Sequence, residues 1–356
     1  MGRRGALDSR LSCGTSGGFS LLELLVATAA GLVLLSGAVV VFRQSTDLGY
    51  VLTQRAEMLQ NERVAIDLIT RDLRAAGTGM PTGGIQLPQG GVAPVFACDF
   101  AGACAIALNT YANVRLYALN PGDGLGAVIN ARSTDVVTVS YRDPSSNLDQ
   151  YPLISITATG DQIVFDAGTS PPLDDPRSGV QAGDVLVLCN VNGCAAATVT
   201  GVNAASSQVN FAAGDPLHLN QPAAALGNVA SLAAPPGSGT YPQTRAFRAL
   251  IVTYYIDTAT DPAAPRLMRH VGASSAVPVA QNIENLQISY DTFDENVGAA
   301  TVNLPNAGGL PNQIRKVNIQ ITSRARFGRL VGRGFDRLGL VTSVSPRNLS
   351  FRDRYQ

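Results

Sequence analysis

Glu23 stands at the head of an apolar run and is the only acidic or basic side chain between Arg10 and Arg43. A carboxylate at the edge of a segment long enough to span a bilayer is expensive unless it reaches water or finds a cation, which makes it a functional candidate by default. Just before it the chain reads Gly17-Gly18-Phe19-Ser20-Leu21-Leu22, a small-residue step suited to a peptidase. An ordinary secretory signal is cut after its apolar region. Here a cut after Gly18 would leave the apolar segment on the mature chain.

Sulfur offers a second chemistry. Cys13 precedes the small-residue step, leaving Cys98, Cys104, Cys189 and Cys194 beyond it. An even number in an exported region implies disulfides, and four cysteines allow three connectivities. The local pairing, Cys98 with Cys104 and Cys189 with Cys194, is expected because each pair brackets a short loop. Cys189-Asn190-Val191-Asn192-Gly193-Cys194 also holds an Asn-Gly turn that would draw its ends together. Zinc is the alternative, disfavoured because neither pair has two-residue knuckle spacing and the only histidines are His218 and His270.

Catalytic patterns are scarce. The single lysine, Lys316, lies in a strand candidate, and no Gly-rich phosphate loop accompanies it. His218 and His270 each stand alone, in settings that suit surface or structural roles. The acidic turns Asp143–Asp149 and Asp257–Asp261 could face calcium but lack the ordered ligand loop of an EF-hand, and read as hairpin turns. No enzyme, cofactor or metal site is expected.

Lys and Arg number 26 and Asp and Glu 26, so the whole chain is neutral, yet its C-terminal end is not. Between Pro311 and Gln356, Arg315, Lys316, Arg324, Arg326, Arg329, Arg333, Arg337, Arg347, Arg352 and Arg354 face only Asp336 and Asp353. Solvated arginines on exposed strand faces are the plain reading, and docking to an acidic neighbour is next. Nucleic acid comes last, since no aromatic stacking platform accompanies the charge.

The elements that must position these groups fall into four stretches. Residues 1–18 form a basic leader with Arg3, Arg4 and Arg10 against Asp8, which stays cytoplasmic by the positive-inside tendency and sends the rest across. Residues 19–42 form an apolar helix of membrane-spanning length. Residues 43–77 continue it amphipathically: Leu52, Leu59, Ile66 and Leu73 recur every seven residues, joined by Leu48 and Ile69, and Gly77 with Pro81 ends the helix. That stripe is read as the seam against the chain's own domain, with polar positions such as Glu62 and Asp72 on the other side. Residues 78–356 turn to Gly, Pro, Val and Thr, with strands expected at Thr134–Tyr141, Ile154–Thr159, Gln162–Phe165, Gly183–Cys189, Ala195–Val202, Phe247–Ile256, Leu267–Val271, Leu286–Tyr290, Ile314–Thr322 and Leu340–Val344. The fold class is α+β: a long N-terminal helix packed on a mostly antiparallel sheet, forming one extracytoplasmic domain.

Gly18, Phe19 and Glu23 occupy the positions of the type IV prepilin signature, a Gly before a Phe and then a Glu at the fifth mature position. The chain resembles that family, and Asn61–Asp67, Arg71–Gly77, Ala182–Leu186, Asn282–Tyr290 and Arg347–Leu349 are similar to segments of PilW-type minor pilins. The resemblance implies a pilin-like fold and cleavage between Gly18 and Phe19 by a membrane-embedded prepilin peptidase, with methylation of the new Phe19 amine. It also implies that Glu23 pairs with the N-terminal ammonium of a neighbouring subunit, an arrangement that offsets its desolvation. Other major and minor pilins, an inner-membrane assembly platform and, before assembly, membrane lipid are the implied partners. The implied location is the inner membrane as a single-pass protein, then a surface pilus or a periplasmic pseudopilus. The competing readings are a J-type minor pseudopilin of type II secretion, a pilus-tip adhesin or DNA-uptake receptor using the basic end, and an uncleaved membrane anchor.

Overall fold

The computed structural model describes residues 18–95, 115–168, 170–175, 179–233, 243–294, 297–306, 311–328 and 334–350. Contacts divide the chain into two units, Met1–Thr53 and Gln54–Gln356. One helix, Leu21–Ala75, contributes to both. It carries Glu23 in its first turn and Arg74 in its last, each sign favourable to the helix dipole. Its end is set at Gly77, which adopts φ 76 and donates its N–H to Ser140 O at 2.9 Å, while Ala76 and Thr78 close the last turn.

In the first unit the helix is exposed along its length. In the second, the buried face comprises Met58, Ala65, Ile66, Ile69 and Leu73, interleaved with Gln54, Glu62, Thr70 and Asp72. Ile66, Ile69 and Leu73 of the expected stripe are buried, while Leu48, Leu52 and Leu59 are not. Leu52 is 62% exposed and Leu59 40%, whereas Glu62 and Asp72, expected on the other side, are inside. A straight α-helix drifts about 20° per seven residues, so a strict heptad cannot stay on one face without supercoiling. The seam follows the three- and four-residue spacing of the helix itself.

Three principal sheets build the second unit. The central sheet runs in the order Val277–Gln281, Arg266–Val271, Arg245–Asp257, Val185–Asn190, Gly193–Thr198, Ile85–Gln86, Arg115–Leu116, and Val136–Arg142 with Leu119–Gly122 joins it off that path. Its hub is Arg245–Asp257, which pairs with three neighbours. The C-terminal sheet has the order Ala299–Leu304, Ile283–Asp294, Ile314–Arg324, Arg337–Val344. A small sheet orders Gly201–Asn203, Gln208–Asn210, Gln162–Phe165, Leu153–Ile156. Pairing is antiparallel except between Ile85–Gln86 and Gly193–Thr198.

The main core joins the helix to two of these sheets. Ala65, Ile66, Ile69, Leu73 and Ala76 pack with Val137, Val139, Val252 and Ile256 of the central sheet and with Leu286, Ile288, Ile319 and Ile321 of the C-terminal sheet. The α+β layout with a long N-terminal helix and mostly antiparallel sheets is therefore present.

Candidate functional site

The apolar helix begins at a reciprocal cap. Ser20 N–H donates to Glu23 Oε2 at 3.0 Å, and Glu23 N–H donates to Ser20 Oγ at 3.2 Å. This is a capping box, which satisfies two otherwise orphaned donors. The Ser-x-x-Glu spacing that announces it is legible in the sequence, and Ser20 belongs with the residues of this site. Gly18 has no atom within 4 Å of where a Cβ would stand, and Phe19 is 88% exposed. The peptide bond between them is thus sterically open.

From Leu21 to Phe42 the large apolar side chains are exposed, and one window of this helix has a mean hydropathy of 2.5 with none of it buried inside the chain. The few hydroxyls in that stretch are spent internally. Thr28 Oγ1 donates to Leu25 O at 3.0 Å and Ser36 Oγ to Val33 O at 2.7 Å. A helix whose hydroxyls are spent on its own backbone suits an apolar surrounding. It is long and apolar enough to cross a membrane.

Cys189 and Cys194 form a disulfide. They face each other across the hairpin of Val185–Asn190 and Gly193–Thr198, whose register pairs Cys194 with Cys189 and Gly193 with Asn190. The two-residue loop is therefore Val191-Asn192, one residue earlier than the Asn192-Gly193 turn expected, with Gly193 following at φ 125. Asn190 fixes the base: its Oδ1 accepts from Asn192 N–H at 2.8 Å, and its Nδ2 donates to Leu232 O and Thr244 Oγ1. Cys98 and Cys104 lie outside the described residues.

Within the second unit, two carboxylates expected off the apolar stripe hold the C-terminal half of the helix to the strands. Asp72, 2% exposed, accepts from Tyr141 Oη at 3.1 Å, Tyr254 Oη at 2.6 Å and Arg269 Nε at 2.8 Å. Burial first, and then the Asp72 charge, push the Tyr141 phenol up to about 12 and raise Tyr254 further. Burial works against the Arg269 cation, and the Asp72 bond outweighs it, so that guanidinium is held charged. Glu62 is fully buried and accepts from Ser323 N–H at 3.1 Å and Ser323 Oγ at 2.8 Å through Oε1, while Oε2 has no partner among the described residues.

The other candidates are engaged structurally. Asp143 accepts from Ser145 N–H and Oγ and from Arg248 Nε, and Asp149 pairs with Arg142 at 2.6 Å. Burial would raise Asp143, but those bonds outweigh it and hold the carboxyl below its ordinary range. Asp257 takes Ala259 N–H, Thr260 Oγ1 and Arg266 in the same manner. His218 Nδ1 lies 3.2 Å from Ala93 O, and His270 is buried within Arg266–Val271. Among the described residues no group of three or more metal-ligating side chains comes together.

In the basic C-terminal stretch Lys316 pairs with Asp291 at 3.3 Å and Arg337 with Glu284, while Arg324 lies over the Phe335 ring and Arg326 over Phe327. Arg329, Arg333, Arg352 and Arg354 lie outside the described residues. No family model, curated protein or solved structure matches this chain.

Proposed function

We propose that the chain is a minor pilin-like structural subunit, inserted in the inner membrane by its apolar helix, cut after Gly18 and then moved into a type IV pilus. The observation that carries the reading is the combination of an open Gly18–Phe19 bond, a carboxylate four residues on, and an apolar helix that no described residue covers. An apolar helix left uncovered by the described residues is suited to cover by lipid or by other helices. A subunit that exchanges one cover for the other meets both needs. In the polymer Glu23 would give up its bond to Ser20 N–H, worth about 1–2 kcal/mol, for the N-terminal ammonium of a neighbouring copy or relative. The β-rich unit would then supply subunit-specific contacts to other pilins, with prepilin peptidase and an inner-membrane platform as processing and assembly partners.

Intact mass and N-terminal sequencing of the membrane-extracted protein test the proposal. A chain beginning at methylated Phe19 is expected. An N-terminus that retains residues 1–18 in cells carrying an active prepilin peptidase refutes it.

A further inference from the structure

Two open clefts on the β-rich unit differ in what their polar groups are doing. One, on the small sheet, is lined by Thr157, Asp161, Gln162, Thr200 and Asn210. These side chains satisfy each other and the nearby backbone: Thr157 Oγ1 donates to Asp161 at 2.6 Å, Gln162 Nε2 to Asn210 Oδ1 at 3.0 Å, and Thr200 Oγ1 accepts from Ala212 N–H at 2.8 Å. Little hydrogen-bonding capacity remains for a ligand.

The other cleft, about 330 Å³, lies on the face of the C-terminal sheet opposite its core. Its floor is made of the cross-strand pairs Gln287 with Gln320 and Ser289 with Asn318, and Asn303, Asp123 and Val341 stand around it. That size is at the lower end of small-molecule sites. Here capacity is left over. Among the described residues neither the Gln320 amide nor the Asp123 carboxylate has a partner. Gln287 spends its Nε2 on Ser133 O at 2.9 Å, leaving Oε1 free. Asn318 donates through Nδ2 to Asp291 and Asn303, leaving its own Oδ1 free, and Asn303 accepts there but leaves its Nδ2 unspent.

Side-chain amides set a donor and an acceptor side by side, and a ligand hydroxyl has the same double character. Among the described residues no cation lines the cleft, and Lys316, on a strand of its floor, is already drawn to Asp291 at 3.3 Å, so an anionic ligand would meet the Asp123 and Asp135 carboxylates uncompensated. Val341, 69% exposed, and Pro305 offer apolar contact to C–H groups. We propose that this cleft binds a neutral, hydroxyl-rich ligand, namely a sugar residue. The inference does not depend on the pilus reading. Without an aromatic platform the affinity is weak, with a Kd of about 1–10 mM.

Saturation-transfer NMR on the full chain, held in a zwitterionic detergent that lacks a sugar headgroup, tests this with glucose, galactose and N-acetylglucosamine as probes. Transfer to the ring protons of at least one sugar is expected. The double variant Gln320→Ala, Asp123→Ala weakens it about tenfold, and Val341→Arg, which fills the cleft from an exposed position, abolishes it. Gln208→Ala, beside the other cleft, leaves it unchanged. Absence of transfer from all three sugars at about 50 mM, or transfer that survives both cleft variants, overturns the proposal.

Discussion

Asp72→Ala removes the group to which three strands tie the helix. Three donors converge on this carboxylate, from Tyr141, Tyr254 and Arg269, the last only 22% exposed. Removing one member of a buried ion pair costs about 3–5 kcal/mol, because the surviving charge is stranded. Arg269 retains some access to water, which places the expected loss near the lower bound, about 3 kcal/mol. Against a total stability of about 5–15 kcal/mol this is large. The chain has no tryptophan but ten tyrosines, so urea unfolding of the detergent-solubilised protein is followed by near-ultraviolet tyrosine circular dichroism. Tyr254→Phe alone costs about 1–2 kcal/mol, and combined with Asp72→Ala it costs less than the sum, with a coupling of about 1–2 kcal/mol. A loss under about 1 kcal/mol for Asp72→Ala, or strict additivity, would refute the role given to this carboxylate.

The same network predicts alkaline sensitivity. The Tyr141 phenol ionises near 10.0 when unfolded and near 12 when folded, so from pH 10 upward the unfolded state loses its proton first. Tyr141 should then contribute a fall of about 1.4 kcal/mol per pH unit through that window, with Tyr254 adding to it, and urea midpoints at pH 9, 10 and 11 should show a slope that Tyr141→Phe reduces. Glu62→Ala should cost about 1–3 kcal/mol by stranding the Ser323 amide and hydroxyl, whereas Glu62→Gln keeps the accepting oxygen and changes stability by less than about 1 kcal/mol; equal losses in urea melts would contradict the assignment. Reducing Cys189–Cys194, whose sequence separation is 5, should cost about 2 kcal/mol by the chain-entropy relation, and a loss above about 4 kcal/mol in unfolding with and without dithiothreitol would show that the bridge does more than shape its hairpin.

Strands with strong alternation or apolar runs are readable from local pattern. Gln162–Phe165 coincides with its expected span, and Arg245–Asp257 and Ile314–Arg324 extend theirs by one or two residues at an end. Val277–Gln281 is missed because Pro278 argues against a central strand, and the structure uses it where proline is tolerated, at the edge of the central sheet. Ala299–Leu304 is missed because it is exposed along most of its length and so lacks the burial signal that marks strands. The Cys189–Cys194 bridge is legible because both cysteines sit on one hairpin, where the ladder register alone brings them face to face.

What the sequence determined by itself is therefore local and periodic: a helix with a charge-free run from Leu24 to Phe42, the Ser-x-x-Glu spacing at its head, a glycine at its end, and strands that alternate. What only the tertiary structure decided is which side of the helix becomes the seam and why acids lie in it. Asp72 and Glu62 read as polar positions off the heptad stripe by residue type, while their partners come from 69 to 261 residues away. A buried charge is tolerated only where such partners converge. Helical periodicity carries no record of that convergence, which is made by the strands that bring Tyr141, Tyr254, Arg269 and Ser323 to the helix.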